Sequence, residues 1–328
     1  MTDLIPSLDG PNLSPFRGAI NNIQLQEYLG PATTRLYPEE KPLSYSFRVN
    51  IEGKEFYLTV FPFFSLDQLH SFIPIEGDRP ADDLVRYNLD PFYAEYRAFG
   101  LLEEEGENGL IAVQCHGYIS LPQAIEYQMQ EKFNINWCRQ PEDEKLPLRA
   151  ILKDYLRSDL CRSEQLCAMR SKLRKLNDMG IFNMNIREEN YNQGLLVDFS
   201  TAITAPHLRL LLGSRSKPDI FQDMCYDSIA FEEMAQKVQS RNDEDSREAF
   251  TMPTSQNING VSDEDESGDE AIAEEYYRWA AYSYAKVTGR DILDSDEGDS
   301  EADAQAKEIL RFAAYDYTKV TGRSALPQ

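Results

Sequence analysis

The sequence predicts an α+β protein in which a strand-rich half leads into a helical half and then into an acidic tail. Three observations carry this expectation. Ser44 to Phe64 holds two extended, apolar-rich runs on either side of a glycine turn, the pattern of a hairpin. Asp90 to Glu104 and Ser163 to Met179 keep apolar side chains at helical spacing. From Ser240 to Glu270 apolar residues almost vanish in favour of Asp, Glu, Ser and Asn, a composition that cannot bury enough surface to fold. With 328 residues, 41% of them apolar, the chain is long enough for one large or two modest domains.

Taken in order, residues 1–19 contain Asp3 and the prolines Pro6, Pro11 and Pro15, and read as a flexible N-terminus. The body is expected over 20–239. Within the hairpin, Tyr45 to Ile51 alternates, Glu52-Gly53-Lys54 turns, and the aromatic and β-branched run Phe56 to Phe64 returns. After the 90–104 helix and an acidic, glycine-containing turn, Leu110 to Val113 reads as a strand, Tyr118 to Leu121 as a further apolar run, and Leu148 to Tyr155 as another strand. Ser163 is the expected cap of the next helix, Leu166, Met169, Leu173 and Leu176 line its apolar face, and Gly180 ends it. An acidic linker follows over 240–271.

The tail, 272–328, repeats itself. Arg278-Trp279-Ala280-Ala281-Tyr282-Ser283-Tyr284-Ala285-Lys286-Val287-Thr288-Gly289-Arg290 recurs 33 residues later as Arg311-Phe312-Ala313-Ala314-Tyr315-Asp316-Tyr317-Thr318-Lys319-Val320-Thr321-Gly322-Arg323. Ala280, Tyr284 and Val287, like Ala313, Tyr317 and Val320, fall on one helical face, and each copy stops at a glycine. The expectation is two short amphipathic helices separated by an acidic spacer. They either dock on the body or serve a partner twice, and two copies are too few for a solenoid.

Charge narrows the function classes. Asp and Glu total 56 against 33 Lys and Arg, a net charge of −23. Arg241 to Gln328 holds 21 acidic and 9 basic residues and so carries about half of it. That balance repels a phosphate backbone or an anionic lipid surface, so direct nucleic-acid and membrane binding are not expected. The cysteines Cys115, Cys138, Cys161, Cys167 and Cys225 are odd in number without CxxC pairing, and His70, His116 and His207 are scattered, so neither a disulfide framework nor a zinc cluster is signalled. No apolar run reaches membrane-spanning length and the start lacks a targeting pattern. The expected setting is nuclear or cytoplasmic, neither secreted nor membrane.

The chemistry-bearing stretch is Gly180-Ile181-Phe182-Asn183-Met184-Asn185-Ile186-Arg187-Glu188-Glu189-Asn190, followed by Gly194-Leu195-Leu196-Val197-Asp198-Phe199-Ser200. A helix stops at a glycine, a loop ends in Asn, and an apolar strand delivers an Asp-Phe-small triplet. This resembles the catalytic loop and metal-binding triplet of the protein-kinase superfamily. Ordinary roles for Asn190 and Asp198 are a turn residue and a strand-end cap.

The resemblance implies a two-lobed protein-kinase-like fold with a small β-rich N-lobe and a truncated helical C-lobe. It places Gly30 at the start of the phosphate-covering loop, Thr59 at the strand-lysine position, Glu95 as the helix carboxylate, Asn185 at the base position, and Asn190 and Asp198 as metal ligands. Thr59 carries no charge for phosphates or for Glu95. Asn185 cannot usefully accept a proton, Asn183 stands where the loop histidine would be, and Pro31 after Gly30 lacks a backbone N–H. Ala205-Pro206-His207 comes too early to resemble a peptide-substrate platform. The implied protein is a catalytically impaired pseudokinase with at most a weak ATP and Mg²⁺ site on Gly30, Asn190 and Asp198. The alternative is an active ATP-dependent phosphotransferase using Asp198 and Asn190 for Mg²⁺ and a non-standard base such as Glu188 or Glu189.

Asp90 to Gly100, Cys115-His116-Gly117-Tyr118, Leu148 to Asp154, Gly180-Ile181 and Val197 to Ala202 together resemble a filamentous-fungal family described as a kinetochore subunit of the Sim-four complex, Fta-two type. That resemblance spans roughly Asn22 to His207. It implies a kinetochore- or centromere-associated interaction module, with protein partners reached through the tail helices and the acidic linker. Ser262, Ser295 and Ser300 each precede acidic residues and resemble acidophilic-kinase sites.

Overall fold

A computed structural model describes residues 10–32, 42–66, 81–157, 161–210 and 217–249. The linker beyond Ala249, both tail repeats and the three tail serines lie outside the described residues. The chain divides into two compact units. The first holds the described residues up to 157 with Asn183–Asn185 and 189–210, and the second holds 161–182, 186–188 and 217–249.

The first unit is built on a five-stranded antiparallel sheet in the order β1-β2-β3-β5-β4, with β1 Gln24–Ala32, β2 Ser44–Ile51, β3 Lys54–Phe61, β4 Cys115–Ser120 and β5 Arg149–Asp154. The β2–β3 hairpin forms as its sequence predicts. Glu52 at φ 52° and Gly53 at φ 86° make a two-residue turn whose left-handed backbone suits glycine, and Gly53 N–H donates to Asn50 Oδ1 at 2.9 Å. Alternation then sorts the side chains. Phe47, Val49, Leu58, Val60, Ala150 and Leu152 face an apolar core with Met129 of α3 Gln123–Phe133 and with Ile135 and Trp137. Tyr57, Thr59, Phe61, Arg149, Ile151 and Lys153 take the opposite phase, where Phe61 meets Phe92 of α2 Pro91–Glu104 edge to face at 5.6 Å.

Helix α2 starts where the sequence places it. Asp90 caps it by accepting from Phe92 N–H at 3.0 Å, and Pro91 occupies the first helical position, where a missing N–H costs nothing. Before it runs α1 Asp82–Leu89. Asn88 in α1 and Arg97 in α2 form a buried knot with the segment 204–208. Arg97 donates to Asn88 Oδ1 at 3.2 Å, to Thr204 O at 2.6 Å and to Pro206 O, while His207 Nε2 lies 2.7 Å from Asn88 O. Burial lowers the Arg97 pKa to about 10, with the Tyr87 hydroxyl opposing the shift.

Residues 10–18, part of the stretch expected to be flexible, run across α2 and β4. Leu13 is buried, Phe16 N–H donates to Tyr118 O at 3.0 Å, and Tyr118 N–H donates to Ser14 O at 3.2 Å, which covers the open edge of β4. The strand expected at Leu110 to Val113 is instead a turn in which Ala112 makes isolated bridges to Asn108 and Leu196, and the sheet strand begins at Cys115. Its apolar residues are satisfied another way, since Val113 N–H donates to Leu196 O at 2.9 Å and Leu196 N–H to Ile111 O at 3.3 Å.

In the second unit α4 Leu166–Asp178 buries Leu166, Met169, Leu173 and Leu176, as its spacing predicts, and Gly180 follows at φ 85°. Ser163 is not the cap. It opens a 3-10 turn, Ser163–Gln165, whose Gln165 side chain accepts from Arg162 N–H at 3.1 Å. Helix α5 Lys217–Ala249 runs antiparallel to α4, because Arg170 pairs with Glu232 at 2.7 Å while Asn177, further along α4, bonds the earlier Asp227 at 3.0 Å. It continues past the boundary expected at Gln239. The residues there are polar, but Glu, Arg and Ala are good helix formers, and lack of apolar surface alone does not end a helix.

Gly117, at φ 120°, would place a Cβ 2.4 Å from Ser14 O and 2.7 Å from Phe16 N. Gly117→Ala is therefore expected to lower stability by about 1–3 kcal/mol and to release residues 10–18 to protease, as urea unfolding and limited proteolysis would record.

Candidate functional site

The period-two alternation of β5 turns Arg149 and Lys153 toward α2, where two carboxylates of that helix meet them. Arg149 Nη1 lies 2.6 Å from Asp90 Oδ2, and the guanidinium stands over the Phe92 ring at 4.7 Å. Lys153 Nζ lies 2.5 Å from Glu95 Oε1 and 2.7 Å from the carbonyl of Val197. The side chains of Lys153 and Glu95 are 1% and 0% exposed. The Tyr57 ring, 5.1 Å from the ammonium, and the Phe99 ring, 5.7 Å away, flank it.

Burial pushes the Glu95 carboxyl up to about 7. Lys153 opposes this, and the charge of Asp198 adds to it. Burial alone would pull the Lys153 ammonium down, but Glu95, Tyr57 and Asp198 outweigh it and leave the lysine above its ordinary value. The proton is thus held along one charge-assisted hydrogen bond, and the pair titrates as a unit.

The loop from 183 to 200 is stitched to itself by asparagines. Met184 at φ 62° turns the chain between Asn183 and Asn185, whose N–H donates to Asn183 Oδ1 at 3.1 Å. Asn183 Nδ2 donates to Asp198 O at 2.7 Å and Asn183 O accepts from Thr201 Oγ1 at 2.9 Å. Asn190 Nδ2 reaches Asn185 O at 2.8 Å. Between Asn190 and Asp198 a two-residue turn, Gln193 at φ 52° and Gly194 at φ 74°, closes the hairpin Tyr191–Asn192/Leu195–Leu196, and Val197 N–H donates to Asn190 O at 3.0 Å. Asp198 Oδ1 accepts from Ser200 N–H at 2.9 Å, the capping role open to it from sequence.

All six candidate positions fall in the first unit. Glu95, Asp198 and the 183–190 loop share one connected network through Lys153, Val197 and Asn183. Thr59 stands on β3 opposite Ile151, buried at 2% exposure, with no hydrogen-bond partner for its hydroxyl among the described residues. Asn185 Nδ2 is likewise buried without a partner among the described residues. Gly30 does not open a loop. It lies inside β1 opposite Ser46, at φ 118° beside a register shift. Glu188, a candidate base, is held in the second unit by a two-pronged pair with Arg241 at 2.8 and 2.9 Å and by Cys161 N–H at 3.2 Å. The Arg241 hydrogen bonds hold the Glu188 carboxyl below the usual range.

Sequence reasoning missed Lys153. The available signal was the strand Arg149-Ala150-Ile151-Leu152-Lys153, in which two cations of the same phase sit in an otherwise apolar strand with neighbours on both sides and so require buried carboxylates. No group of three or more His, Cys, Asp or Glu among the described residues could hold a metal ion. No described helix is long and apolar enough to cross a membrane.

These elements define a mixed α+β protein whose helix α2 is clamped to its central sheet by two ion pairs. The family model described as kinetochore Sim4 complex subunit FTA2 matches residues 2–203, more than half of the chain, and the chain belongs to that family. The match takes in the whole sheet, α2 and the 183–200 network, as the resemblance read from Asp90–Gly100 and Val197–Ala202 implies. No curated protein matches the chain.

Lys153→Met should destabilise the protein by about 3–5 kcal/mol, because Glu95 is left buried and unpaired, and adding Glu95→Leu should recover most of that loss; urea denaturation of the two variants checks both. The sign with pH follows from the raised Glu95 value. The folded state holds that proton more tightly than the unfolded chain, so the Glu95 contribution is full below about 4.5 and is lost as pH rises through about 7. Glu95→Gln should flatten that part of the stability–pH curve.

Proposed function

We infer that the chain is a kinase-like protein without phosphotransfer activity that works as an interaction subunit of a nuclear kinetochore assembly. The observation that carries this reading is the Lys153–Glu95 pair. In the protein-kinase pattern a strand lysine pairs with the helix carboxylate and grips nucleotide phosphates. Here the cation comes from β5 in place of Thr59 on β3, two residues beyond the cross-strand partner of Thr59, and it is sealed at 1% exposure with Glu95 and Val197 O as acceptors. The ion pair is kept and its access to phosphate is lost.

The other residues agree with it. Asn185 replaces a base and accepts Asn190 through its backbone, so the Asn190 amide nitrogen is spent on the loop. Asp198 is drawn into capping Ser200, Gly30 belongs to a strand, and Glu188 is committed to Arg241. With Lys153 sealed at 1% exposure and Gly30 inside a strand, this set leaves no group to grip nucleotide phosphates and so does not fit ATP with Mg²⁺. The family description names the kinetochore Sim4 complex, which supports a nuclear setting with other subunits as partners. In this reading the body over 20–239, extended by α5, is a folded platform, and the acidic linker and the duplicated tail helices supply partner contacts.

Titration with ATP and Mg²⁺ should give no saturable rise in Tm, and a clear saturable rise would overturn the pseudokinase reading. In cells, Tyr284→Ala with Tyr317→Ala should cut co-purification of the other Sim4 subunits at least about tenfold, the size expected from lost avidity, whereas Asp198→Ala should leave it unchanged.

A further inference from the structure

Of the 17 prolines only Pro15 follows a serine or threonine, and a cation stands two residues after it, in Ser14-Pro15-Phe16-Arg17. That order suits a proline-directed protein kinase. Proline has no backbone N–H to leave unpaired in the pocket beside the transfer site, and the arginine offers a charge-assisted contact three residues after the acceptor. The four residues belong to the strap of residues 10–18 that crosses α2 and β4. Leu13 is buried in it and Phe16 meets the Phe56 ring edge to face at 6.0 Å, whereas Ser14, Pro15 and Arg17 are exposed. The hydroxyl and both recognition residues are therefore on the solvent side.

The polar anchors of the strap on α2 are carboxylates. Ser14 N–H donates to Glu103 Oε2 at 3.1 Å and Asn12 N–H to Glu104 Oε1 at 3.3 Å, from the last turn of the helix, and Glu105 and Glu107 follow. Within residues 10–18 the only cation is Arg17. On the other side of the strap Tyr118 N–H of β4 donates to Ser14 O at 3.2 Å. One residue thus fastens the strap to both elements. A neutral hydroxyl on Ser14 leaves these bonds undisturbed. A phosphate in its place brings about two negative charges at neutral pH to the residue whose own N–H Glu103 holds, and like charges so placed repel.

We propose that Ser14 is a phosphoacceptor for a proline-directed kinase, and that its phosphate, repelled by Glu103 and Glu104, unfastens residues 10–18 from α2 and from the edge of β4. The γ-phosphoryl group passes from ATP to Ser14 Oγ. The bond from the γ-phosphorus to the bridging oxygen breaks, the Oγ–P bond forms, the hydroxyl proton goes to the base of the kinase, and ADP leaves. A terminal strap held by Leu13, Phe16 and exposed hydrogen bonds belongs to the low-stability end of a fold, where local opening comes first. The kinase acts on the open strap and the phosphate opposes its return. Release uncovers the outward N–H and C=O of Tyr118, an edge able to pair with another strand.

The test uses the full chain, ATP and a purified cyclin-dependent kinase as the proline-directed probe. Phosphate should map to Ser14 and be lost in Ser14→Ala, an exposed position. Amide hydrogen exchange at Tyr118 should then rise at least about fivefold, because exchange follows the open population, while Leu58 of β3 and Leu152 of β5 stay protected. In Glu103→Gln with Glu104→Gln, which keeps an acceptor at each position and removes the charge, the phosphorylated chain should exchange at Tyr118 close to its unphosphorylated rate. A full chain that takes up no phosphate at Ser14 would overturn the proposal. So would a phosphorylated chain with unchanged Tyr118 exchange, or an equal rise in the double glutamine variant.

Discussion

Two cation–carboxylate pairs between β5 and α2 are the constraint on which the first unit depends. Arg149 with Asp90 and Lys153 with Glu95 are largely sealed from water. A charge in such a place is tolerated only when paired and hydrogen-bonded. The strand therefore fixes the helix in both rotation and translation. If α2 slid by one turn, about 5.4 Å, Asp90 and Glu95 would both leave their partners and several charges would stand unpaired in a dry interior. An apolar interface such as that of Phe61 with Phe92 tolerates small shifts, whereas an ion pair at 2.5 Å does not. The clamp then passes its order on: Lys153 also holds Val197 O, and through Val197 it positions Asp198 and the asparagine-stitched loop.

That arrangement separates two jobs that one lysine performs in the protein-kinase pattern. A lysine that pairs with a helix carboxylate and also meets phosphate must keep one side open to ligand. Lys153 reaches Glu95 from the strand neighbouring Thr59, between the Tyr57 and Phe99 rings, and its surroundings leave no such side. Glu95 raised toward neutrality fits the same picture, since dry surroundings rather than hydrated phosphates set its proton affinity. The Lys153–Glu95 pair thus serves the packing of α2 on the sheet.

Local pattern made most elements legible. The hairpin of β2 and β3 announced itself by alternation and a Glu52-Gly53 turn, α2 by Asp90-Pro91 and its aromatic spacing, and α4 by Leu166, Met169, Leu173, Leu176 and Gly180. Failures came where a segment's fate was decided by a partner distant in sequence. Leu110 to Val113 looks like a strand but is covered by Leu196, so it needs no sheet neighbour. Residues 10–18 look like a free arm because their apolar content is thin, yet Gly100 and Gly117 leave room for their backbone, a complementarity visible only in space. Motif order pointed to Glu95, Asn190 and Asp198, and Glu95 and Asp198 lie on the network joined by Lys153 and Val197. Lys153 could not be found this way, because a motif reports the strand on which a charge customarily sits and an ion pair needs only its distance.

Many of the polar groups of the 183–200 loop are spent on the loop itself. Asn183 spends its amide on Asp198 O and its carbonyls on Asn185 and Thr201, Asn190 spends its amide on Asn185, and Asp198 spends an oxygen on Ser200. Each bond fixes a loop backbone that carries no regular secondary structure and would otherwise leave buried N–H and C=O groups unpaired. Thr59 Oγ1 and Asn185 Nδ2 are among the buried polar atoms without a partner among the described residues. An unpaired neutral hydroxyl or amide costs about 1–3 kcal/mol, far less than a stranded charge, which is why the fold carries Thr59 and Asn185 unpartnered but could not carry Lys153 so.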